Sequence, residues 1–257
     1  MKNPIRKLID LLVTTILWVY FIFGFLVFFL PFYLAAFVKK EGRELRYQHL
    51  HHLFFRGFFG LTRFLIPSLA IEVDPQVRDI RSAIIVCNHI SYLDPLLMIA
   101  AFKKQKTIVK STFFKVPVFG WLMNHSGYVP AVGKGVSPWE VLHRIMRLGD
   151  YLATGGNVFV FPEGTRSRTG EIGTLARGAF EVALRSRATI KVLLVENSND
   201  LFRPGNFLFN TAIDRPIRLK LLETLNPDYE DEGFSVEGLM ETVKEWLKKE
   251  NGRVELN

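Results

Sequence analysis

The chain has 257 residues, 49% of them apolar and 23% charged, with 33 Lys+Arg against 25 Asp+Glu and one cysteine. This composition excludes a disordered chain and a polytopic membrane protein, and the length is ample for a real hydrophobic core. The single cysteine, Cys87, excludes an internal disulfide framework and a multi-cysteine zinc site, and it suits a reducing compartment.

The net charge of +8 is concentrated at one end. Residues 1–66 hold nine Lys/Arg against Asp10, Glu41 and Glu44, which accounts for +6, and they contain 12 of the 23 phenylalanines. The remainder is close to neutral, so no nucleic-acid partner is expected. No charged residue occurs from Leu11 to Val38. As a helix, residues 11–38 would reach about 42 Å, against a hydrocarbon core of about 30 Å. The run is too long for a cleavable signal peptide, and no small-residue cleavage pattern closes it. It is expected to enter the bilayer. Basic residues flank both ends, so the positive-inside rule does not orient it, and Pro31 permits a kink or a re-entrant turn. A tilted span and a monotopic insertion are both open.

Residues 47–66 follow a different pattern. Leu50, Leu53, Phe54, Phe58, Leu61 and Leu65 recur at helical spacing, opposite a stripe of His49, His52, Arg56 and Arg63. This predicts a basic amphipathic helix in the headgroup layer. No carboxylate accompanies His49, His51 and His52, so no metal site is expected there. Residues 1–66 thus read as a membrane anchor and 67–257 as a separate domain.

In that domain, strands are predicted around Ala70–Val73, Ala83–Cys87, Thr107–Val109, Asn157–Phe161, Ile190–Val195, Phe207–Ile213 and Ile217–Leu222. Helices are predicted over Pro95–Phe102, from Ser137 to Gly155, over Arg177–Ser186 and from Ser235 onward. Ser137, Pro138 and Glu140 have the form of a capping box with proline at the first helical position. The expected class is α/β, a mixed, mostly parallel central sheet flanked by helices, with an N-terminal membrane-associating helical segment.

Two strand-end loops carry the chemistry. Asn88-His89-Ile90-Ser91-Tyr92-Leu93-Asp94-Pro95 follows the AIIVC strand. An aspartate that accepts from one imidazole nitrogen fixes the tautomer and leaves the other nitrogen as a base. No G-x-S-x-G nucleophile elbow occurs, and Cys87 closes an apolar strand, so a covalent acyl-enzyme has no obvious carrier. Phe161-Pro162-Glu163-Gly164-Thr165-Arg166-Ser167 follows the NVFVF strand. It offers a glycine that lets backbone approach a ligand, a hydroxyl and a guanidinium fork suited to phosphate. The same residues also allow a surface turn in which Arg166 pairs with Glu163.

NHISYLDP followed by FPEGTRS resembles the glycerolipid acyltransferase family, most closely its 1-acylglycerol-3-phosphate (lysophosphatidate) acyltransferases, over roughly residues 80–200. The N-terminal segment is similar to that of bacterial members. The resemblance implies transfer of a fatty acyl group from acyl-CoA or acyl-carrier protein, as co-substrate rather than cofactor, to the hydroxyl of a lysophospholipid. It implies His89 as general base, Asp94 as its orienting carboxylate, and Glu163, Gly164, Thr165 and Arg166 as the loop that holds the acceptor, with Arg166 on its phosphate. It also implies a membrane location with the site on the cytoplasmic face, as at a bacterial inner membrane, and membrane lipids as partners. In the family's second block Lys110, Pro117, Gly120 and Gly127 match, but Gly133 stands where an arginine is expected, with Lys134 next. The fourth block's proline is missing from Ile190-Lys191-Val192-Leu193-Leu194. Lys110 and Lys134 are therefore candidates for the phosphate contact. These departures keep a different lysolipid acceptor open, such as a lyso-amino-acid lipid. A membrane-bound thioester or ester hydrolase and a non-catalytic lipid-binding protein are the alternatives outside the class.

Overall fold

A computed structural model of the chain describes residues 4–133 and 135–254. Helix α1 runs over Pro4–Val38 and is long and apolar enough to cross a membrane. Only 17% of its most apolar stretch is buried, so it is not a core helix. The chain does not turn back at Pro31. Instead, the turns widen over Tyr20–Phe29, and the Leu30 N–H bonds to the carbonyl of Phe25, five residues back. Proline lacks an N–H and crowds the carbonyl four residues before it, so looser turns let the helix continue.

Gly42, in the left-handed region at φ +63°, reverses the chain into α2, Arg43–Leu65. The two helices pair antiparallel: the Tyr20 hydroxyl donates to the Phe54 carbonyl at 2.7 Å, and the Tyr47 hydroxyl to the Tyr33 carbonyl at 3.1 Å. The buried stripe of α2 is Tyr47, Gln48, His51, His52, Phe54, Phe55, Phe58, Phe59 and Thr62. This differs from the expected stripe, because Leu53 is exposed while His52 is buried against the Ile99 carbonyl at 3.1 Å. The physical reason is that α2 packs on α1 and on the sheet domain together. Its aromatic residues fill the wider interface, and His51 and His52 find hydrogen-bond partners there.

The remaining elements are β1 (Ile71–Val73), α3 (Pro75–Arg78), β2 (Ala83–Cys87), α4 (Asp94–Ala101), β3 (Gln105–Val109), α5 (Phe119–His125), β4 (Val129–Pro130), α6 (Pro138–Met146), α7 (Leu148–Ala153), β5 (Asn157–Val160), α8 (Arg177–Ser186), β6 (Thr189–Glu196), α9 (Ser198–Leu201), β7 (Ile217–Leu225) and α10 (Val236–Val254). Among the described residues seven strands form one sheet in the order β1-β7-β6-β2-β5-β3-β4, parallel except where β6 meets β7. The class is the mixed, mostly parallel α/β sheet that the apolar runs predicted.

Strand alternation sorts the core into two layers. Ile85, Cys87, Phe159, Leu193 and Val195 face one way, toward α1, α2 and α4. Ile84, Val86, Val158, Val160, Val192 and Leu194 face the other, toward α6, α7, α8 and α10. Both faces of the central strands are covered, which is why those strands read as unbroken apolar runs.

Three local expectations are corrected. Residues 207–213 form no strand. Two of their backbone N–H groups are taken by side chains of α1, with Phe209 bonding Thr14 Oγ1 at 2.9 Å and Thr211 bonding Asp10 Oδ1 at 2.9 Å. Ser137 makes no side-chain cap bond, and Glu140 instead accepts from Arg144 at 2.8 Å. The helix expected from Ser137 to Gly155 breaks at Arg147 into α6 and α7.

Two glycines of the second block have structural duties. Gly127 adopts φ +70°, and a Cβ on Gly120 would sit 2.0 Å from the Phe114 carbonyl oxygen. Gly120→Ala should therefore destabilise the fold by about 1–3 kcal/mol, read as a lower thermal midpoint. Gly149→Ala, where nothing lies within 4 Å, should not lower it. A second expectation concerns His51, which burial pushes down to about 3, so it is neutral in the fold. The unfolded chain takes up that proton below about pH 6.5. Stability should then fall as pH drops from 6.5 toward 3, with a slope of up to ~1.4 kcal/mol per pH unit from this group. Denaturant unfolding across that range measures the slope, and His51→Leu should flatten it.

Candidate active site

Strands β2 and β5 are parallel neighbours, with Ile85 opposite Phe159 and Val86 opposite Val160. Their carboxyl-terminal loops therefore leave the same sheet edge side by side, although about 70 residues separate them in sequence. Two hydrogen bonds join the loops. The His89 N–H donates to Glu163 Oε1 at 3.0 Å, and the Ser167 N–H donates to the His89 carbonyl at 2.7 Å.

At the centre, His89 Nδ1 lies 2.9 Å from Asp94 Oδ2. The same oxygen accepts the N–H groups of Ile90 and Ser91, each at 2.7 Å. Asp94 is fully buried and begins α4, while the His89 side chain is 14% exposed, so one edge of the ring reaches the surface. With Nδ1–H donated to the carboxylate, Nε2 carries the free lone pair. The imidazole stacks on Phe161, with centroids 4.4 Å apart. Packing and hydrogen bonding together fix the ring plane.

The second loop divides its labour. Glu163 is occupied by backbone: Oε1 accepts from His89, and Oε2 accepts from the Gly173 N–H at 3.0 Å. Burial pushes its carboxyl above the usual range, opposed by those hydrogen bonds. Gly164 has φ +65° with open space around it, so it is needed for its backbone conformation. Thr165 is exposed. Arg166 makes no pair with Glu163. Its guanidinium lies over the Tyr92 ring, 3.5 Å from the centroid, and so reaches across to the first loop. Cys87 is buried beside Asp94, and both facts push its thiol well above the ordinary range, which makes it a core residue.

Residues 70–195, which include both loops, match the family model described as Acyltransferase. The match spans just under half of the chain. A chloroplastic 1-acyl-sn-glycerol-3-phosphate acyltransferase of Arabidopsis thaliana is 33% identical over 124 residues, covering 48% of this chain and 34% of the relative. A bacterial protein of the same name, from Borreliella burgdorferi, is 25% identical over 157 residues, covering 60% of this chain and 62% of its own. The chain thus spans about a third of the length of the plant relative. In fold, the chain is similar to the crystal structure of a 1-acyl-sn-glycerophosphate acyltransferase from Thermotoga maritima, with a TM-score of 0.72, 22% identity and 98% of both chains covered.

Among the described residues, the Lys110 side chain makes no hydrogen bond or ion pair with either loop. It is exposed at the end of β3, which lies beyond β5 from β2, two strand spacings or about 10 Å away. Lys134 lies outside the described residues. At Gly133, the position where the family's arginine is expected, a Cβ would sit 2.9 Å from Ser111 Oγ, the residue after Lys110.

Four residues of the site had no spacing signal. Phe161 and Tyr92 act through their ring faces. Asn88 bonds both backbone groups of Val195, at 2.9 and 2.7 Å, and so ties the end of β2 to β6. Ser198 follows β6, and its hydroxyl donates to Asp94 Oδ1, the oxygen that His89 does not use. The only available signal was its place, just after a buried strand parallel to β2. Ser198→Ala would leave a buried carboxylate oxygen without its donor, at a cost of about 1.5–3 kcal/mol of folding stability. Denaturant unfolding reads that loss, and Ser198→Thr, which keeps the hydroxyl, should recover most of it.

Proposed function

We propose that the chain is a membrane-anchored O-acyltransferase that moves a fatty acyl group from an acyl-CoA or acyl-carrier-protein thioester to the free hydroxyl of 1-acyl-glycerol-3-phosphate, giving phosphatidate. The observation that carries this reading is the His89–Asp94 pair, with a fixed ring, a free Nε2 and no adjacent nucleophile. A thioester is already activated, whereas an alcohol at neutral pH is a weak nucleophile. The reaction needs a base at the hydroxyl and placement of the two reactants.

His89 Nε2 removes the hydroxyl proton as the oxygen attacks the thioester carbonyl. The tetrahedral intermediate collapses, the C–S bond breaks, and the departing thiolate receives the proton from His89. Asp94 stabilises the imidazolium between these steps. Arg166, held over Tyr92, presents its donors to the acceptor phosphate, and Thr165 adds a hydroxyl. By the resemblance, Lys110 and Lys134 remain candidates for further contacts to that phosphate. The acceptor is an amphiphile, so residues 1–66 keep the site of the 67–257 domain at the bilayer surface, on the cytoplasmic side where the donors are made. The names of the plant and bacterial relatives support the choice of lysophosphatidate.

His89→Ala should lower acyl transfer by about 10²–10⁴-fold while the protein stays folded and membrane-bound. The assay follows a labelled acyl chain from both thioester donors into a panel of lysolipids. Near wild-type transfer by His89→Ala would sink the mechanism. Free fatty acid released without any lysolipid consumed would identify a hydrolase, and lysolipid binding without turnover would identify a lipid-binding protein.

A further inference from the structure

Away from the strand-end loops, a second concave space of about 580 Å³ opens where the turn between α1 and α2 meets α5. Lys40 and Arg43 line it from the turn and Arg147 from a distant stretch, together with Glu44, Asn124 and His125. None of the three cations has an ion pair among the described residues. Glu44, the one carboxylate of the lining, is already paired with Lys106 at 2.6 Å. Arg43 lies over the Phe37 ring, and its Nε is buried without an acceptor. The neighbouring Arg46 donates to the Lys39 carbonyl, and its Nε is also buried and unmatched.

Like charges that converge on a cavity repel one another, and a buried guanidinium donor without an acceptor is costly. Both problems have one remedy, an anion with several oxygens that the planar guanidinium groups can grip. The cavity also faces the first turn of α2, a helix of 23 residues whose Arg43 N–H bonds the Lys40 carbonyl and whose cap residue, Gly42, has no side chain to take the N–H groups that follow. Its location selects the source of the anion. The lining begins at Lys40, just beyond the end of the apolar helix, where Phe37 and Val38 are 41% and 78% exposed. If α1 lies in the bilayer, this is headgroup depth.

We infer that this cavity is a phosphate-binding site that takes the headgroup phosphate of an anionic glycerophospholipid from the surrounding leaflet. It uses no residue of the His89 loops, so it stands apart from acyl transfer and rests only on the membrane placement of α1. A bound headgroup would tie the α1–α2 turn to α5 and to the junction of α6 and α7, fixing the anchor against the domain.

The test uses the full-length chain in neutral detergent and a readout independent of turnover, the shift of the thermal midpoint during lipid titration. The probes are phosphatidylglycerol, phosphatidylcholine and inorganic phosphate. Phosphatidylglycerol should stabilise the wild type saturably, and phosphatidylcholine should not. Arg43→Gln with Arg147→Gln should weaken the apparent affinity at least tenfold. Lys40→Gln with Arg147→Gln, both at exposed positions, should act in the same direction if the first pair does not fold. Arg6→Gln with Lys7→Gln removes equal charge outside the cavity, and Arg166→Gln removes the arginine of the strand-end loop; both should leave the affinity within about threefold. Equal stabilisation by both lipids would overturn the assignment, as would an equal loss in the Arg6/Lys7 control, which means diffuse charge. Saturation by inorganic phosphate with no further gain from the lipid would overturn the lipid source.

Discussion

A carboxylate with no exposed surface must be surrounded by donors, and Asp94 takes three from its own loop and a fourth from a segment that only the sheet brings beside it. Two are N–H groups of its own loop, one is the His89 ring, and one is the Ser198 hydroxyl beyond β6. A buried, unpaired charge would be far more costly than any of these bonds is stabilising. The parallel pairing of β2 with β5 and with β6 is therefore a requirement of the site as much as of the core. The Asn88 amide, bonded to both backbone groups of Val195, holds that pairing at the edge where the chemistry lies.

The same economy governs the anchor. An apolar helix that faces lipid still has to be attached to a polar domain, and α1 is attached by its few polar side chains. Asp10 and Thr14 are buried and accept backbone N–H groups of residues 209 and 211. Farther along the hairpin, Gln48 of α2 donates to the Ser126 carbonyl at 2.9 Å and accepts from the Tyr151 hydroxyl at 2.8 Å. Apolar packing alone would leave the tilt of the hairpin loose, because such contacts have no direction. Hydrogen bonds at both ends define it.

How much was legible depended on whether a signal was local. β2 and β5 could be read because strands buried on both faces are continuous apolar runs, and both loops begin where those runs stop. The segment 207–213 misled because its apolar residues report burial, while its backbone partners, Asp10 and Thr14, lie some 195 residues away. The capping box at Ser137 misled because Glu140 has a competing partner one turn on, in Arg144. α5 and β4 went unseen because two to seven residues are too few to establish a period. Glu163 enters the acceptor loop by resemblance, and no spacing records that its carboxylate also bonds the backbone of His89 and Gly173.

By itself the sequence determined the α/β class, the uneven charge, the apolar anchor and the two loops with His89, Asp94, Glu163 and Arg166, since each is written in residues adjacent along the chain. The tertiary structure alone decided that Ser198 completes the surroundings of Asp94, that Arg166 rests on Tyr92 instead of pairing with Glu163, and that Lys40, Arg43 and Arg147 surround one cavity. Strand order and helix packing set these neighbours. The donors and charges involved are tens of residues apart, and no local periodicity records which of them meet.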